Sequence, residues 1–82
     1  MKSKIYNEDG SFKRNIAIDA EMLAFANKYG IDSIFEYQQS HKELFQTAQR
    51  AIDRIKWYSN QRKDYKIKVS IKAKQLINSN KI

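Results

Sequence analysis

The chain has 82 residues, a formal net charge of +7, no proline and no cysteine. A chain of this length makes one domain with a small core, and without cysteine it has neither a disulfide framework nor a thiolate metal site. Its longest apolar stretch, residues 22–26, is far shorter than the ~20 residues of a membrane-spanning helix. We therefore expect a single small helical domain, residues 1–82, in the reducing cytoplasm and without membrane insertion.

The positive charge is concentrated in the last third of the chain. Nine of the sixteen Lys and Arg residues lie between Arg54 and Ile82, where Asp64 is the only acidic residue. The first forty residues carry five basic and six acidic residues. A one-sided positive surface attracts acidic partners, a class that includes nucleic acids and acidic protein surfaces.

The N-terminal segment predicts a tight turn. Asp9-Gly10 is a strong turn signal because glycine accepts a positive φ without steric cost. Ile5, Tyr6 and Phe12 flank this turn and are placed to form a short β-hairpin. Such a hairpin is marginal unless something covers it.

Two helices are predicted next. The first begins at Asn15 or Asp19 and ends before Gly30, which has the position of a C-terminal cap. Its apolar residues recur at three- and four-residue spacing: Ile18, Met22, Phe25, Ala26 and Tyr29. Asp32 then caps a second, short helix. A DNA-binding helix-turn-helix is the alternative, but residues 32–40 contain no Lys or Arg for phosphate contacts.

A long amphipathic helix is predicted from residue 40 onward. Ser40-His41-Lys42-Glu43 matches a capping box, in which His41 is an exposed helix-start residue rather than a base or a metal ligand. One apolar stripe follows it: Leu44, Phe45, Ala48, Ala51, Ile52, Ile55 and Tyr58. The pattern breaks at residues 59–61, as a turn or as a fraying helix end.

Residues 65–74 fit two structures. Apolar residues alternate there with Lys and Ser, which is the period of a half-buried strand. Tyr65, Val69 and Ala73 also form a helical stripe that continues through Leu76 and Ile77. The β-branched residues favour the strand, whereas the continuing stripe favours the helix, which we prefer. The predicted fold is mainly α, a bundle of three or four helices, with the N-terminal hairpin as an optional addition.

The residue inventory predicts a protein that is not an enzyme. The chain has one histidine, no cysteine and no closely paired carboxylates, so acid-base and nucleophilic catalysis lack their parts. It also has no glycine-rich phosphate loop and no spacing of metal ligands. We expect no catalytic residue, no metal and no cofactor.

Trp57 is the first candidate for binding a protein partner. It projects away from the apolar stripe and lies beside Arg50 and Arg54, which is the composition of an interface anchor. Lys63 and Lys66 are expected to add electrostatic attraction. The alternative is that the N-terminal hairpin or the short second helix covers Trp57 as a second small core.

The basic C-terminal segment is a candidate for nucleic-acid binding, which is the alternative function. Its cations are interleaved with aromatic residues, as in surfaces that bind phosphates and stack bases. They are Arg62, Lys63, Lys66, Lys68, Lys72 and Lys74, with Tyr65. In a helix, Ile67 and Ile71 would lie away from the apolar stripe. They would then face a second core or a partner, so we expect a homodimer or small oligomer.

Over its whole length the chain resembles the lysis-inhibition accessory proteins of T-even phages, the RIII-type cytoplasmic antiholins. The shared features are a short chain that is rich in Lys and Asn, free of Cys and Pro, and mostly helical. The resemblance implies a phage regulatory protein in the host cytoplasm. Such a protein binds the cytoplasmic part of a holin, restrains its assembly into membrane holes and delays lysis. The resemblance assigns a role to no individual residue.

Overall fold

A computed structural model of the chain describes residues 3–82, in which the backbone forms five α-helices and no strand. They are α1 (Ile16–Tyr29), α2 (Ser33–Ser40), α3 (Lys42–Phe45), α4 (Ala48–Ser59) and α5 (Lys63–Asn78). The predicted mainly α fold is confirmed, and residues 65–74 are helical. Since α3 is a single turn of four residues, four longer helices make up the bundle.

The N-terminal turn packs on the bundle as a minimal hairpin. Tyr6 and Phe12 form a single antiparallel bridge, and the Lys13 N–H donates to the Ile5 carbonyl at 2.9 Å. Gly10 has a φ of 87° at the turn, a conformation that suits glycine. Because the Ile5 side chain is fully buried, this segment belongs to the core rather than standing free.

Helix α1 lies at the centre of the molecule. It begins after Asn15, whose Oδ1 accepts from the Ile18 N–H at 3.2 Å, and it ends at Gly30, whose φ is 97°. One side of α1 packs in a cluster with the N-terminal segment and α2 to α4, and the other side packs on α5. The first side contributes Ile18 and Met22 to the core, and the second contributes Ala20 and Ala24.

The predicted capping box at residues 40–43 does not form. Helix α2 continues through Ser40, whose Oγ donates to the Glu36 carbonyl at 3.1 Å and so is engaged at the end of α2. His41 is half-buried, with its ring stacked on Tyr37 at a centroid distance of 4.1 Å. The expectation of an exposed His41 at a helix start is therefore wrong.

The prediction of one continuous helix to Tyr58 is also wrong, because the chain turns sharply between α3 and α4. Gln46 has a φ of 64°, and the Thr47 N–H donates to the Phe45 carbonyl at 2.6 Å, which closes a γ-type turn. Thr47 Oγ1 then caps α4 by accepting from the Arg50 N–H at 3.2 Å. The turn separates the apolar residues of α3 from those of α4, and both sets pack in the same core cluster.

Helices α1 and α5 pack against each other in the same direction. Tyr65, in the first turns of α5, hydrogen-bonds to the Asn15 N–H at the start of α1. Lys28, near the end of α1, donates to the Ile82 carbonyl beyond α5 at 2.6 Å. Small side chains between the helices allow a close approach: Ala20, Ala24, Val69 and Ala73. The opposite side of α5 is therefore free of α1.

Candidate partner-binding surface

A buried ion pair joins α4 to α1. Arg54 Nε donates to Asp19 Oδ1 at 2.8 Å and Nη2 donates to Oδ2 at 3.0 Å, a bidentate geometry that satisfies both charges. The Tyr65 hydroxyl also donates to Asp19, and Arg54 Nη1 donates to the Ile5 carbonyl at 3.3 Å. One guanidinium therefore holds together the N-terminal segment, α1 and α4, and through Asp19 it reaches α5.

The burial of this pair corrects one of the predicted partner-binding residues. Arg54 is 0% exposed, so it cannot touch a partner in this fold. Its position off the apolar stripe of α4 reflects a polar contact inside the core. Tyr65, also buried, is removed from any base-stacking surface. Burial raises the pKa of the Tyr65 hydroxyl, and the hydrogen bond to the Asp19 carboxylate raises it further.

Trp57 lies against the N-terminal turn, one of the two segments that the alternative interpretation placed over it. Its ring centroid is 5.7 Å from that of Phe12 and 6.4 Å from that of Tyr65. The Arg54 guanidinium carbon is 4.4 Å from the centroid of the indole, within cation–π distance. The N-terminal turn thus covers one part of Trp57. The side chain is half-buried, and its role in partner binding stays a prediction.

Arg50 fixes the N-terminal turn while remaining partly exposed. Its guanidinium carbon lies 4.9 Å from the ring centroids of both Tyr6 and Phe12. Its Nη2 donates to the Gly10 carbonyl at 3.1 Å. Because its side chain is 37% exposed, it can still contact a partner beside the turn.

The two lysines predicted to bind a partner have different surroundings. Lys63 is exposed at the start of α5. Lys66 is half-buried, and its Nζ donates to the Ser59 carbonyl at 3.0 Å, which ties α5 to the end of α4. The structure therefore does not bring the five predicted residues into one surface: it buries Arg54, leaves Trp57 and Arg50 beside the N-terminal turn, and places the lysines on α5.

The outer face of α5 has the clearest features of a contact surface. Ile67 and Ile71 lie one helical turn apart, opposite the side that packs on α1, and are 48% and 53% exposed. Exposed lysines flank them on both sides: Lys63 and Lys74 on one, Lys68 and Lys72 on the other. We call these six residues the α5 outer face. The helical interpretation of residues 65–74 anticipated the unpartnered isoleucines, but they were not included in the predicted site.

Residues 3–82 contain no helix with both the length and the apolar character to cross a bilayer. In the same residues, no group of three His, Asp or Glu side chains is gathered so that it could hold a metal ion. Comparison with protein-family models, curated proteins and solved structures found no match to the chain.

Proposed function

We propose that the protein acts by binding another protein, without catalysing a reaction, and that the α5 outer face makes the contact. The observation that carries this proposal is the exposure of Ile67 and Ile71, at 48% and 53%, in the middle of a helix whose opposite side packs on α1. Covering apolar surface contributes about 25 cal/mol per Å². Two adjoining aliphatic side chains therefore favour a partner that supplies an apolar patch.

The flanking lysines select a partner with an acidic surface. Asp64 is the only acidic residue of α5, so the field around Ile67 and Ile71 is positive. Carboxylates on a partner would be steered toward this field, which raises the association rate and fixes the orientation. We propose an acidic protein surface with aliphatic residues at its centre.

Nucleic-acid binding is the second candidate function, and the lysines of α5 favour it. The aromatic residues that would stack on bases are less suited to it, since Tyr65 is buried and Trp57 is half-buried. Phosphates also offer no apolar surface to Ile67 and Ile71. The geometry therefore supports a protein partner better than a nucleic acid.

A more specific proposal concerns the identity of the partner. The resemblance to the cytoplasmic antiholins supports a phage regulatory protein that binds the cytoplasmic part of a holin and delays host-cell lysis. A protein that works by contact alone, from the host cytoplasm, meets the requirements of that role. In this proposal, the partner covers the α5 outer face and its own assembly into membrane holes is thereby restrained.

The test uses a partner that is first captured from expressing cells, then identified and purified. Ile67→Ser with Ile71→Ser should weaken binding of that partner at least about tenfold, because buried aliphatic anchors carry much of the affinity. Titration calorimetry measures the affinity, and circular dichroism checks the fold. Where the partner is a holin, co-expression of the double variant should no longer delay lysis.

Phe35→Ser is the matched control, because Phe35 is 44% exposed and lies on α2 rather than on α5. It should bind the partner as the unchanged protein does. Equal affinity of the double variant would contradict the proposal. Binding of duplex or single-stranded DNA at low salt, with a steep loss as salt rises, would favour the nucleic-acid candidate instead.

A further inference from the structure

A cavity of about 200 Å³ lies between α1, α2 and α4. Its surface is almost entirely apolar, and it is lined by Met22, Leu23, Ala26, Ile31, Ile34, Ile55 and Tyr58, with Asp19, Arg54 and Ser59. An enclosed apolar cavity of ~150 Å³ can take up benzene, and this space, although open on one side, is of similar size and equally apolar in its lining. The space is therefore suited to a small apolar molecule better than to water.

Three polar residues of the lining, Asp19, Arg54 and Ser59, already have partners within the protein. Asp19 and Arg54 neutralise each other through two hydrogen bonds of 2.8 and 3.0 Å. Ser59 Oγ donates to the Lys56 carbonyl at 2.8 Å. A charged ligand would lose its hydration without gaining a counter-ion, which is costly in an apolar site. The lining therefore favours an uncharged ligand.

The cavity is accessible from the surface. Ile31, in the connection between α1 and α2, lines the cavity and is also 64% exposed, so it stands at the mouth. The opening is distinct from the α5 outer face, since the cavity lies against the side of α1 that packs toward α2 and α4. Pockets for drug-sized ligands begin near ~300 Å³, so this cavity admits only smaller molecules.

We infer that the cavity is a binding site for a small neutral molecule built around a single aromatic or alicyclic ring. The ligand would fill the space between Met22, Ile34 and Ile55 and would stabilise the packing of α2 on α1 and α4. This inference is independent of the proposed protein partner, because none of the residues of the α5 outer face lines the cavity.

Benzyl alcohol is the probe, and benzoate and benzylamine are its charged counterparts. Benzyl alcohol should bind with a dissociation constant on the order of 1 mM and shift the methyl NMR signals of Met22, Ile34 and Ile55. Intermolecular NOEs from the ring to these methyl groups locate the ligand in the unchanged protein. The melting temperature should rise with benzyl alcohol and not with the charged counterparts.

Ala26→Leu is the blocking variant, because its added carbons occupy the cavity. Ala17→Leu makes the same substitution at an exposed position of α1 and is the matched control. Binding should be lost in Ala26→Leu and kept in Ala17→Leu. The inference is overturned if benzyl alcohol gives no saturable shifts in the unchanged protein. It is also overturned if benzoate binds equally well, or if a folded Ala26→Leu protein binds as before.

Discussion

At the scale of single residues, Arg54 has the strongest effect that the structure predicts. Arg54→Met should lower the free energy of unfolding by about 3–5 kcal/mol, because it leaves the Asp19 carboxylate buried without its counter-ion. Asp19 is only 4% exposed, so water cannot replace the guanidinium. Urea denaturation followed by circular dichroism measures the loss, which is a large part of the stability of a small domain.

Arg50→Met is the control for this substitution, since the Arg50 side chain is 37% exposed and stacks on the N-terminal turn. It should cost about 1 kcal/mol or less. Replacing both members of the buried pair, with Asp19→Leu and Arg54→Met together, should recover most of the stability. If Arg54→Met lowers the free energy of unfolding by no more than Arg50→Met does, the Asp19–Arg54 ion pair does not stabilise the core as described.

The ion pair could not be predicted from the sequence. Asp19 and Arg54 are 35 residues apart, and no local pattern links an acid in one helix to a base in another. The position of Arg54 off the apolar stripe predicted a surface residue. That inference failed because a second side of α4 is also covered, by the N-terminal turn and by the start of α5. Trp57 lies on that same side, and its sequence position fitted both an interface anchor and a covered residue of a second small core.

At the scale of helices, the turn between α3 and α4 predicts a stabilising substitution. Gln46 has a φ of 64°, which is strained for a residue with a side chain and unstrained for glycine. Gln46→Gly should raise the free energy of unfolding by up to about 1 kcal/mol, since the relief exceeds the added freedom of the unfolded chain. The urea midpoint should rise with an unchanged slope.

Gln49→Gly is the matched control, because Gln49 is exposed within α4. Glycine there should destabilise the protein by about 1 kcal/mol. A loss of stability in Gln46→Gly, comparable to that in Gln49→Gly, would show that residues 42–59 favour a continuous helix after all. The two substitutions thus test the break directly.

The helices were predictable to different degrees. Gly30 marked the end of α1 correctly, because a positive φ is a local requirement. Its start was left open between Asn15 and Asp19, and the structure has Asn15 as the cap. The break at Gln46 was missed because that segment contains neither glycine nor proline. In residues 65–74 apolar and polar residues alternate as in a strand, although the segment is helical. The alternation arises because Ile67 and Ile71 are apolar residues on the exposed side of the helix, where polar residues are usual.

At the scale of the whole molecule, the charge distribution predicts how self-association depends on salt. The expected homodimer stays a prediction, and contact between two α5 outer faces would bring lysines against lysines. The Debye length is about 30 Å at 0.01 M salt and about 3 Å at 1 M. The mass measured by light scattering should therefore be monomeric at low salt and increase at high salt.

Ile71→Ser should abolish the association at high salt, because it removes apolar surface and leaves every lysine in place. Binding of the acidic partner should have the opposite dependence and weaken as salt rises. A dimer that forms at low salt and separates at high salt would contradict a contact between two α5 outer faces. The charge asymmetry on which this depends was readable from the sequence alone.

The same-direction packing of α1 on α5 has a consequence for biosynthesis. The ribosome makes α1 before α5, so Ala20 and Ala24 can pack on Val69 and Ala73 only after those later residues have been translated. Until then this half of the core cannot form, and the side of α1 that packs on α5 remains exposed to solvent or bound by a chaperone. Formation of this half of the core and presentation of the lysines of α5 therefore occur together, once α5 has left the ribosome.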